Sequence, residues 1–310
     1  MRVLVTGANG FVGKHLCKHL REQGDEVVEA HGPPSQGAPA ARTSLDVTDP
    51  ANVRTVVEAA RPDAVIHLAG LSSVAMSHQD PCRAFSVNTL GAVNVLAAAR
   101  DVAPKARILL IGSAEMYGSV PAGARASEDS PLRPSSPYAS SKVAAEVAGF
   151  QFHRATGLEV IGVRSFNHIG AGQASNFVVP SFARQIQAIR GRSGPAVLRV
   201  GDLTVTRDFS HVANVVEAYR VLTLKGAAGE AYNVCSGEGR TIRSLLDEML
   251  QIAGASATIE VDRLRLRPSD VPNLVGDATK LRKLGWQPRR SVRDALRDAL
   301  EEAARTGAEE

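Results

Sequence analysis

The residues best suited to acid–base chemistry stand in the stretch 136–142. Tyr138 and Lys142 are four residues apart, and Ser136 followed by Pro137 predicts a helix start, because proline has no amide hydrogen to leave unpaired there. Residues four apart share one helix face, so we expect the phenol and the ammonium group to be neighbours. Such an ammonium group favours the phenolate and lowers the tyrosine pKa from its ordinary value of about 10. The pair is a candidate general acid and base, although by itself it would more often be a solvated helix face.

A glycine-rich turn follows the first apolar segment. Residues 2–6 are typical of a buried parallel strand, and residues 7–13 read GANGFVG, with a glycine at every third position and a predicted helix beyond. Glycines at a strand-to-helix turn let the backbone approach a pyrophosphate at the helix N-terminus. The pattern therefore predicts a dinucleotide site. The residues predicted to line it here are Gly7, Asn9, Gly10, Phe11, Val12 and Gly13.

The end of the second predicted strand bears on which dinucleotide is bound. Folds of this kind often place an acidic residue there, where it binds the ribose 2′-hydroxyl of NAD. Here the strand 26–30 ends before His31, and strand alternation points Glu29 and His31 to one side. No arginine follows directly to hold the 2′-phosphate of NADP. His31 is predicted to contact the cofactor, and the choice between NADP and NAD stays open.

Strands and helices alternate up to residue 166, which predicts an α/β fold with a parallel, doubly wound sheet. The further predicted elements are helices at 50–60, 81–103 and 137–156 and strands at 64–69, 107–112 and 159–164. Ser113 directly follows one of these strands. Because ligands of such sheets bind at the carboxyl ends of strands, a site role is favoured over a turn cap. Glu115 is open to three interpretations: a structural ion pair, a substrate acceptor or a base.

The second half of the chain begins with a turn-rich break at 167–173. We interpret 1–166, completed by about 205–234, as the dinucleotide-binding domain. A smaller, discontinuous α/β substrate lobe is predicted from 167–204 and 235–310. Arg207 and Arg267 are candidate clamps for a diphosphate, because a guanidinium fork matches phosphate oxygens; surface arginines are an equally good interpretation. Arg263 and Arg265 are interpreted as surface residues.

Composition narrows the class of protein. The 310 residues are 44% hydrophobic, enough for one large domain and a smaller one. The net charge is +4 and is spread along the chain, which suits a phosphorylated small ligand better than nucleic acid. The three cysteines are far apart and predict free thiols, and His15 and His19 lack a third ligand for a metal. With no leader pattern and no membrane-length apolar run, we expect a cytoplasmic protein.

Taken together, the motifs resemble the extended short-chain dehydrogenase/reductase family, and the resemblance covers essentially the whole chain. They are Thr6-Gly7-x-x-Gly10-x-x-Gly13, Asp46-Val47, His67-Leu68-Ala69, Ser113, Tyr138-x-x-x-Lys142 and Arg164-x-x-Asn167. Within that family, segments 165–173, 200–203, 207–209, 232–237 and 266–272 are most similar to GDP-6-deoxy-D-mannose reductases. These reduce the 4-keto group of GDP-4-dehydro-6-deoxy-D-mannose to give GDP-D-rhamnose. The chain departs from their pattern at Gly70, Ala171 and His211.

The resemblance implies a Rossmann-type fold, an NADP or NAD cofactor, a GDP-linked deoxysugar substrate and a role for each matched residue. Tyr138 would protonate the sugar oxygen, Lys142 would bind the nicotinamide ribose, and Ser113 would hold the reacting oxygen. Contacts with the adenine of the cofactor are implied for Asp46 and Val47, and further cofactor contacts for Leu68, Ala69, Gly70 and Asn88. Further substrate contacts are implied for Ser72, Glu115, Asn167, Val179, Arg207 and Arg267. A homodimer formed through the helices at 81–103 and 137–156 is implied as well.

The sequence leaves three other functions open. A GDP-mannose 4,6-dehydratase or another nucleotide-sugar 4-epimerase or dehydratase would use the same fold and the same Tyr138 and Lys142. A more distant alternative is a dinucleotide-binding regulator that has lost the chemistry. The presence of Ser113, Tyr138 and Lys142 together argues against the regulator, because the fold alone does not require them.

Overall fold

The computed structural model describes residues 1–32, 44–121, 123–190, 196–266 and 271–306. The strands are β1 (Arg2–Thr6), β2 (Glu26–Ala30), β3 (Ala64–His67), β4 (Arg107–Ile111), β5 (Glu159–Ser165), β6 (Asn167–Ile169), β7 (Val197–Val200), β8 (Thr206–His211), β9 (Ala231–Val234), β10 (Gly239–Thr241), β11 (Thr258–Val261) and β12 (Asn273–Leu274). The α-helices are α1 (Phe11–Glu22), α2 (Pro50–Ala60), α3 (Val74–Gln79), α4 (Pro81–Phe85), α5 (Gly91–Val102), α6 (Pro137–Thr156), α7 (Val178–Ile189), α8 (Val212–Lys225), α9 (Ile242–Ala253), α10 (Thr279–Arg282) and α11 (Val292–Thr306). Short 3-10 helices cover Ala114–Tyr117 and Arg263–Arg265.

Six strands form one parallel sheet in the order β2-β1-β3-β4-β5-β9. The chain passes from β1 to β2 on one side and then places β3 on the other side of β1, so the strand order reverses there. Loops that leave two such neighbouring strands diverge and open a crevice at their carboxyl ends. The predicted parallel, doubly wound sheet is confirmed, and Gly7 and Leu68 directly follow the two strands that border this crevice.

Helices cover both faces of the sheet. On β1, Val3 and Val5 face a core shared with α1 and α8, whereas Leu4 faces a second core shared with α2 and α5. Strands covered on both faces are apolar at every position, which explains why β1 shows no polar alternation. α6 lies on the second face, where Ala145 is part of the core.

Beyond β5 the chain forms two smaller sheets. In one, β8 pairs with β6, β10 and β12; in the other, β7 pairs with β11. A separate hydrophobic cluster, which includes Phe182, Leu245 and Leu296, joins α7, α9 and α11. This third core supports the predicted second lobe. Trp286 instead belongs to the core of the larger sheet, and the exact domain boundaries remain a prediction.

β8 was not predicted, because its sequence is polar although the strand is almost wholly buried. Asp208 has no exposed surface and accepts hydrogen bonds from the backbone nitrogens of Ser236 at 2.8 Å, Gly237 at 2.8 Å and Gly276 at 3.3 Å. A buried carboxylate is tolerated when such donors surround it. The donors come from loops distant in sequence, so no local pattern could reveal this strand.

The prediction of one continuous helix at 81–103 was wrong, because the segment is divided by a π-helical turn. α4 ends at Phe85, a π-helical turn covers Ser86–Leu90, and α5 begins at Gly91. A π-helical turn inserts one extra residue into a helix and is frequent at functional sites. Here it contains Asn88, which is buried.

All three cysteines are free thiols, as expected. Within the described ranges, no helix combines the length and the apolar character that crossing a membrane requires.

His211 ends β8 and caps α8. Its Nδ1 accepts a hydrogen bond from the Ala213 nitrogen at 3.0 Å, so Nε2 carries the proton that is donated to Asp298 Oδ2 at 3.0 Å. Burial lowers the pKa of His211 below its ordinary value, and the hydrogen bond to Asp298 only partly offsets this effect. The native state therefore holds a neutral imidazole that links α8 to α11.

We expect His211 to make the stability of the protein depend on pH. Because its pKa is lowered on folding, the unfolded chain binds more protons once the pH falls below about 6.5, and stability is lost from there downward. His211→Asn keeps a capping oxygen but does not titrate. Urea unfolding at about pH 8 and about pH 5 should show a larger loss of stability for the wild type than for His211→Asn. Equal losses for the two proteins would contradict the argument.

Candidate active site

The glycine loop joins β1 to α1 at the crevice. Gly7 has a φ of +68°, and a Cβ there would come within 2.9 Å of the Ala69 nitrogen, so a side chain cannot be accommodated. A Cβ at Gly13 would lie 2.4 Å from the Gly7 carbonyl oxygen, whereas one at Gly10 would lie 3.2 Å from it. α1 begins at Phe11 with no side-chain cap, so its first amides face the loop. This bare backbone fits the pyrophosphate of a dinucleotide.

The opposite wall of the crevice follows β3. The Thr6 hydroxyl accepts a hydrogen bond from the Ala69 nitrogen at 3.1 Å and bonds His67 Nδ1 at 2.9 Å, which ties the ends of β1 and β3 together. A Cβ at Gly70 would lie 2.8 Å from Asn88 Oδ1 and 3.4 Å from Lys142 Nζ. The structure thus brings the predicted cofactor residues Ala69, Gly70, Asn88 and Lys142 together.

Asn88 holds the loop after β3 against α6. Its Oδ1 accepts from the Leu71 nitrogen at 2.8 Å, and its Nδ2 donates to the Leu71 carbonyl oxygen at 3.2 Å and to Ser141 Oγ at 2.9 Å. The amide group is thus occupied by three bonds within the protein. Asn88 therefore positions the wall of the site, and its direct contact with a cofactor remains a prediction.

The start of α6 is built as the sequence predicted. Ser136 Oγ accepts from the Ala139 nitrogen at 3.1 Å, and Pro137 is the first helical residue. Ser77 Oγ accepts a further hydrogen bond, from the Tyr138 nitrogen at 3.1 Å. Ser77 had not been singled out in the sequence. Tyr138 and Lys142 are both about 9% exposed, so both face the interior of the site.

The pKa of Tyr138 lies above its ordinary value, which corrects the expected lowering. Burial is the largest cause, a hydrogen bond with the Ser113 side chain lowers the pKa, and the charge of Glu115 raises it. Lys142 is not among the causes, and its Nζ donates to the Ile111 carbonyl oxygen at 2.8 Å. Ser113, Glu115 and Tyr138 are thus brought together as predicted, but burial rather than the lysine dominates the titration of the phenol.

Burial also lowers the pKa values of two basic side chains of the site, Lys142 and His67. The pKa of Lys142 is lowered to about 8 by burial, and that of His67 to about 3 by burial and by the charge of Lys142. His67 Nε2 is buried without a hydrogen-bond partner among the described residues. A narrow cavity lies between His67, Asn88, Lys142 and Glu146. Near neutral pH, therefore, the His67 imidazole is neutral and the Lys142 side chain is mostly protonated.

A buried polar cluster behind the site was missed by sequence reasoning. The guanidinium of Arg164 donates to Glu146 Oε1 at 2.7 Å, to Tyr117 Oη at 3.0 Å and to the Glu128 carbonyl oxygen at 2.8 Å. Tyr117 Oη donates to Asn233 Oδ1 at 2.6 Å. Glu146 lies one turn after Lys142 on α6, and an arginine in an apolar strand was the signal that could have predicted a buried pair.

The predicted adenine contacts lie between the end of β2 and α5. Asp46 Oδ1 accepts from the Thr48 nitrogen and hydroxyl at 2.9 and 2.6 Å, and so closes a turn. Val47 is buried, and Asn94 Nδ2 donates to its carbonyl oxygen at 2.8 Å. Their contact with adenine stays a prediction.

The predicted substrate residues differ in burial and lie on several elements. Ser72 and Asn167 are exposed. The Val179 side chain is buried in the third core, so only its backbone could meet a substrate. Arg207 is also buried, and its Nη1 donates to the carbonyl oxygens of Thr206 and Val271. Arg267 lies outside the described residues.

Two histidines make polar contacts beside the break that follows β5. His15 Nε2 bonds the Ala171 carbonyl oxygen at 2.8 Å. His168 Nδ1 bonds the Phe166 carbonyl oxygen at 3.0 Å, and its ring stacks on Phe11 at 5.9 Å. These contacts anchor the break after β5 to the first turn of α1. Among the described residues, no group of histidine, cysteine and carboxylate side chains could hold a metal.

Two glycines of the loop should separate cofactor binding from folding. A valine side chain in place of Gly10 would extend into the space over the loop, so we expect Gly10→Val to fold and to lose dinucleotide binding measured by calorimetry. Its cost in stability should be on the order of 1 kcal/mol, as for a poor N-cap residue. Gly13→Val would drive a Cβ into the Gly7 carbonyl, and its unfolding midpoint should fall further. Full cofactor binding by Gly10→Val would show that the loop does not hold the pyrophosphate.

Comparison with known proteins agrees with this geometry. The family model for GDP-mannose 4,6 dehydratase matches residues 4–299. A GDP-6-deoxy-D-mannose reductase of Pseudomonas aeruginosa is 36% identical, over 96% of each chain. A GDP-mannose 4,6 dehydratase 2 of Arabidopsis thaliana is 33% identical, over 78% of this chain and 66% of its own. The solved structure of RMD from Pseudomonas aeruginosa complexed with NADPH has a TM-score of 0.88 and 34% identity, and covers 99% of this chain and 100% of that one.

The sheet, the glycine loop and the grouping of Ser113, Tyr138 and Lys142 in this chain agree with a family match along nearly the whole sequence. The chain therefore belongs to the GDP-mannose 4,6-dehydratase family and is an NAD(P)-dependent nucleotide-sugar enzyme of the extended short-chain dehydrogenase/reductase type.

Proposed function

We propose that this enzyme reduces the 4-keto group of GDP-4-dehydro-6-deoxy-D-mannose to give GDP-D-rhamnose. The observation that carries the proposal is the similarity to a GDP-6-deoxy-D-mannose reductase over 96% of both chains. The buried Ser113–Tyr138 pair supports it, because a ketone reduction needs one proton donor at the carbonyl oxygen and little else from the protein.

Tyr138 is suited to donate that proton. Because burial raises its pKa, the phenol is protonated at neutral pH and can deliver its proton to the sugar oxygen. Ser113 hydrogen-bonds with the same phenol and can hold the sugar oxygen beside it. Lys142, with a pKa of about 8, is mostly charged at neutral pH, and in this proposal it holds the nicotinamide ribose. The reduced nicotinamide, when bound, supplies the hydride.

A 4,6-dehydratase is the second candidate function. A dehydratase must remove the sugar C5 proton and protonate a departing hydroxyl, so it needs a carboxylate near the tyrosine. Glu115 is near enough to Tyr138 for its negative charge to raise the pKa of the phenol. This observation favours the dehydratase. The match to the dehydratase family model favours it as well. The reaction catalysed therefore has to be decided by the fate of the cofactor.

We expect one reduced cofactor to be oxidised for each GDP-4-keto-6-deoxyhexose added, followed by the absorbance of the reduced nicotinamide. A dehydratase takes a hydride from its sugar and returns it, so its cofactor shows no net change. Conversion of GDP-mannose to a 4-keto sugar without net cofactor oxidation would contradict the reductase proposal and establish the dehydratase.

Two variants test the roles within the same assay. Tyr138→Phe removes only the hydroxyl and should lower turnover by a factor on the order of 10² or more, with little change in cofactor affinity. Glu115→Gln keeps the shape and removes the charge, and should lower turnover less than Tyr138→Phe. A larger loss in Glu115→Gln would assign the carboxylate to the chemistry and favour the dehydratase.

We further propose a cytoplasmic homodimer formed through the outer faces of α4, the π-helical turn and α6. Large apolar side chains are exposed on this surface: Phe85 is 38% exposed, Leu90 57% and Val147 56%. α4 and the turn both contact α6, so the side chains belong to one continuous region. Burying them against a second copy would remove apolar area from water. Free thiols at all three cysteines are consistent with a reducing compartment.

Light scattering should give twice the chain mass of 32.7 kDa. The double variant Leu90→Lys and Val147→Lys should shift the protein toward the mass of one chain, because two buried ammonium groups per copy would be desolvated. Leu264→Lys is the matched control, since Leu264 is 95% exposed in the other lobe and should leave the mass unchanged. A wild-type mass of a single chain would contradict the dimer.

A further inference from the structure

The first turn of α6 is held by a serine from another helix. Backbone N–H groups in the first turn of a helix have no partner within the helix, and Tyr138 is the second residue of α6. Ser136 Oγ accepts from the next amide, that of Ala139. Ser77 Oγ, on α3, accepts from the Tyr138 nitrogen at 3.1 Å and donates to the Val74 carbonyl oxygen at 2.7 Å. The amide of Tyr138 is therefore fixed to α3.

Ser77 is a polar residue at a position that usually suits an apolar one. It has no exposed surface, whereas the other residues of α3 are all at least partly exposed. A helix that buries one side chain normally gains stability from an apolar one, because that removes apolar area from water. A buried hydroxyl is tolerated only through its hydrogen bonds, and here one of them comes from Tyr138. The serine at this position thus serves the contact with α6.

A second serine hydroxyl holds the carbonyl group of Tyr138. Ser141 Oγ, also without exposed surface, donates to the Tyr138 carbonyl oxygen at 2.7 Å. Asn88 Nδ2 donates to Ser141 Oγ at 2.9 Å and so orients this hydroxyl. Both polar backbone groups of Tyr138 are thus bonded to buried serines.

The segment that carries Ser77 is continuous with the wall of the crevice. Asn88 bonds both backbone groups of Leu71, at 2.8 and 3.2 Å, and α3 begins shortly after Leu71. The segment is joined to α6 at two places. Asn88 links it to Ser141, and Ser77 links it to Tyr138. The position of the Tyr138 backbone is therefore coupled to the position of this wall.

We infer that Ser77 is a positioning residue of this enzyme, which together with Ser141 fixes the backbone of Tyr138 and thereby the place of its phenol in the site. The inference rests on the proposed role of Tyr138 as the proton donor and not on which sugar is used. Ser77 takes no part in the reaction itself, because its hydrogen bonds go to backbone atoms. A displacement of the phenol by about 1 Å would disturb the alignment that proton transfer needs, and such a displacement can lower a rate by a factor of about 10².

The test combines two substitutions and measures kcat with the nucleotide-sugar that the wild type turns over. Ser77→Ala removes the acceptor and should lower kcat about 10-fold, while cofactor binding measured by calorimetry stays unchanged. Adding Ser77→Ala to Tyr138→Phe should lower the residual kcat no further, because the hydroxyl that Ser77 positions is already absent. A merely structural role would multiply the two losses, and that result would overturn the inference.

Two further variants separate positioning from a general loss of stability. Ser77→Thr keeps the hydroxyl and should restore most of kcat. Thr241→Ala is the matched control, because Thr241 Oγ1 accepts from the Ser244 nitrogen at 3.1 Å at the start of α9, in the smaller lobe. It should lower the unfolding midpoint and leave kcat unchanged. Should Ser77→Ala not fold, Ser77→Cys fills a similar volume with a weaker acceptor and takes its place in the same measurements.

The proposed function and the role of Ser77 fail in different ways. Wild-type turnover in Tyr138→Phe would overturn the proton donor and, with it, the role of Ser77. A large loss of kcat in Tyr138→Phe together with an unchanged kcat in Ser77→Ala would overturn the role of Ser77 alone.

Discussion

The close approach of two backbone segments at the ends of β1 and β3 is the constraint on which the rest of the site depends. Gly7 lies so near to Ala69 that any Cβ would meet its nitrogen at 2.9 Å. The Thr6 hydroxyl fixes this approach by bonding both the Ala69 nitrogen and His67. Once the two strand ends are held in this way, the glycine loop forms one wall of the crevice and the loop at Gly70 forms the other.

Buried polar contacts connect the second wall of the crevice to α6, the helix that carries Tyr138 and Lys142. Asn88 joins the Leu71 backbone to Ser141, which lies one residue before Lys142. On the far side, Arg164 joins Glu146 of α6 to Tyr117, four residues after Ser113. The distance between the Ser113 turn and α6 is therefore held by groups that cannot separate without leaving buried charges unpaired. Hydrogen bonds of this kind, made behind the side chains of a site, hold those side chains in place more firmly than loop geometry alone.

Burial has opposite effects on the pKa values of the two principal acid–base groups. It raises the pKa of the Tyr138 phenol and lowers that of the Lys142 ammonium, because in each case the charged form loses hydration. A protonated phenol is the form that can give its proton to a developing alkoxide. The Lys142 ammonium donates a hydrogen bond to the Ile111 carbonyl oxygen, and in the proposed function it also holds the nicotinamide ribose.

The sequence by itself determined the larger sheet, the glycine loop and the cap of α6. These follow from local rules: apolar runs form buried strands, Gly7 suits a positive φ, and Ser136 with Pro137 begins a helix. The grouping of Ser113 with Tyr138 and Lys142 was predicted from the family resemblance. Tertiary structure alone decided the strand at Thr206–His211, the break at Asn88 and the direction in which the pKa of Tyr138 moves. It also decided that Glu29 pairs with Arg21 and with His31. In each case the deciding partner lies on another element, and burial, which sets the energy of a charge, is a property of the packed chain and not of any local pattern.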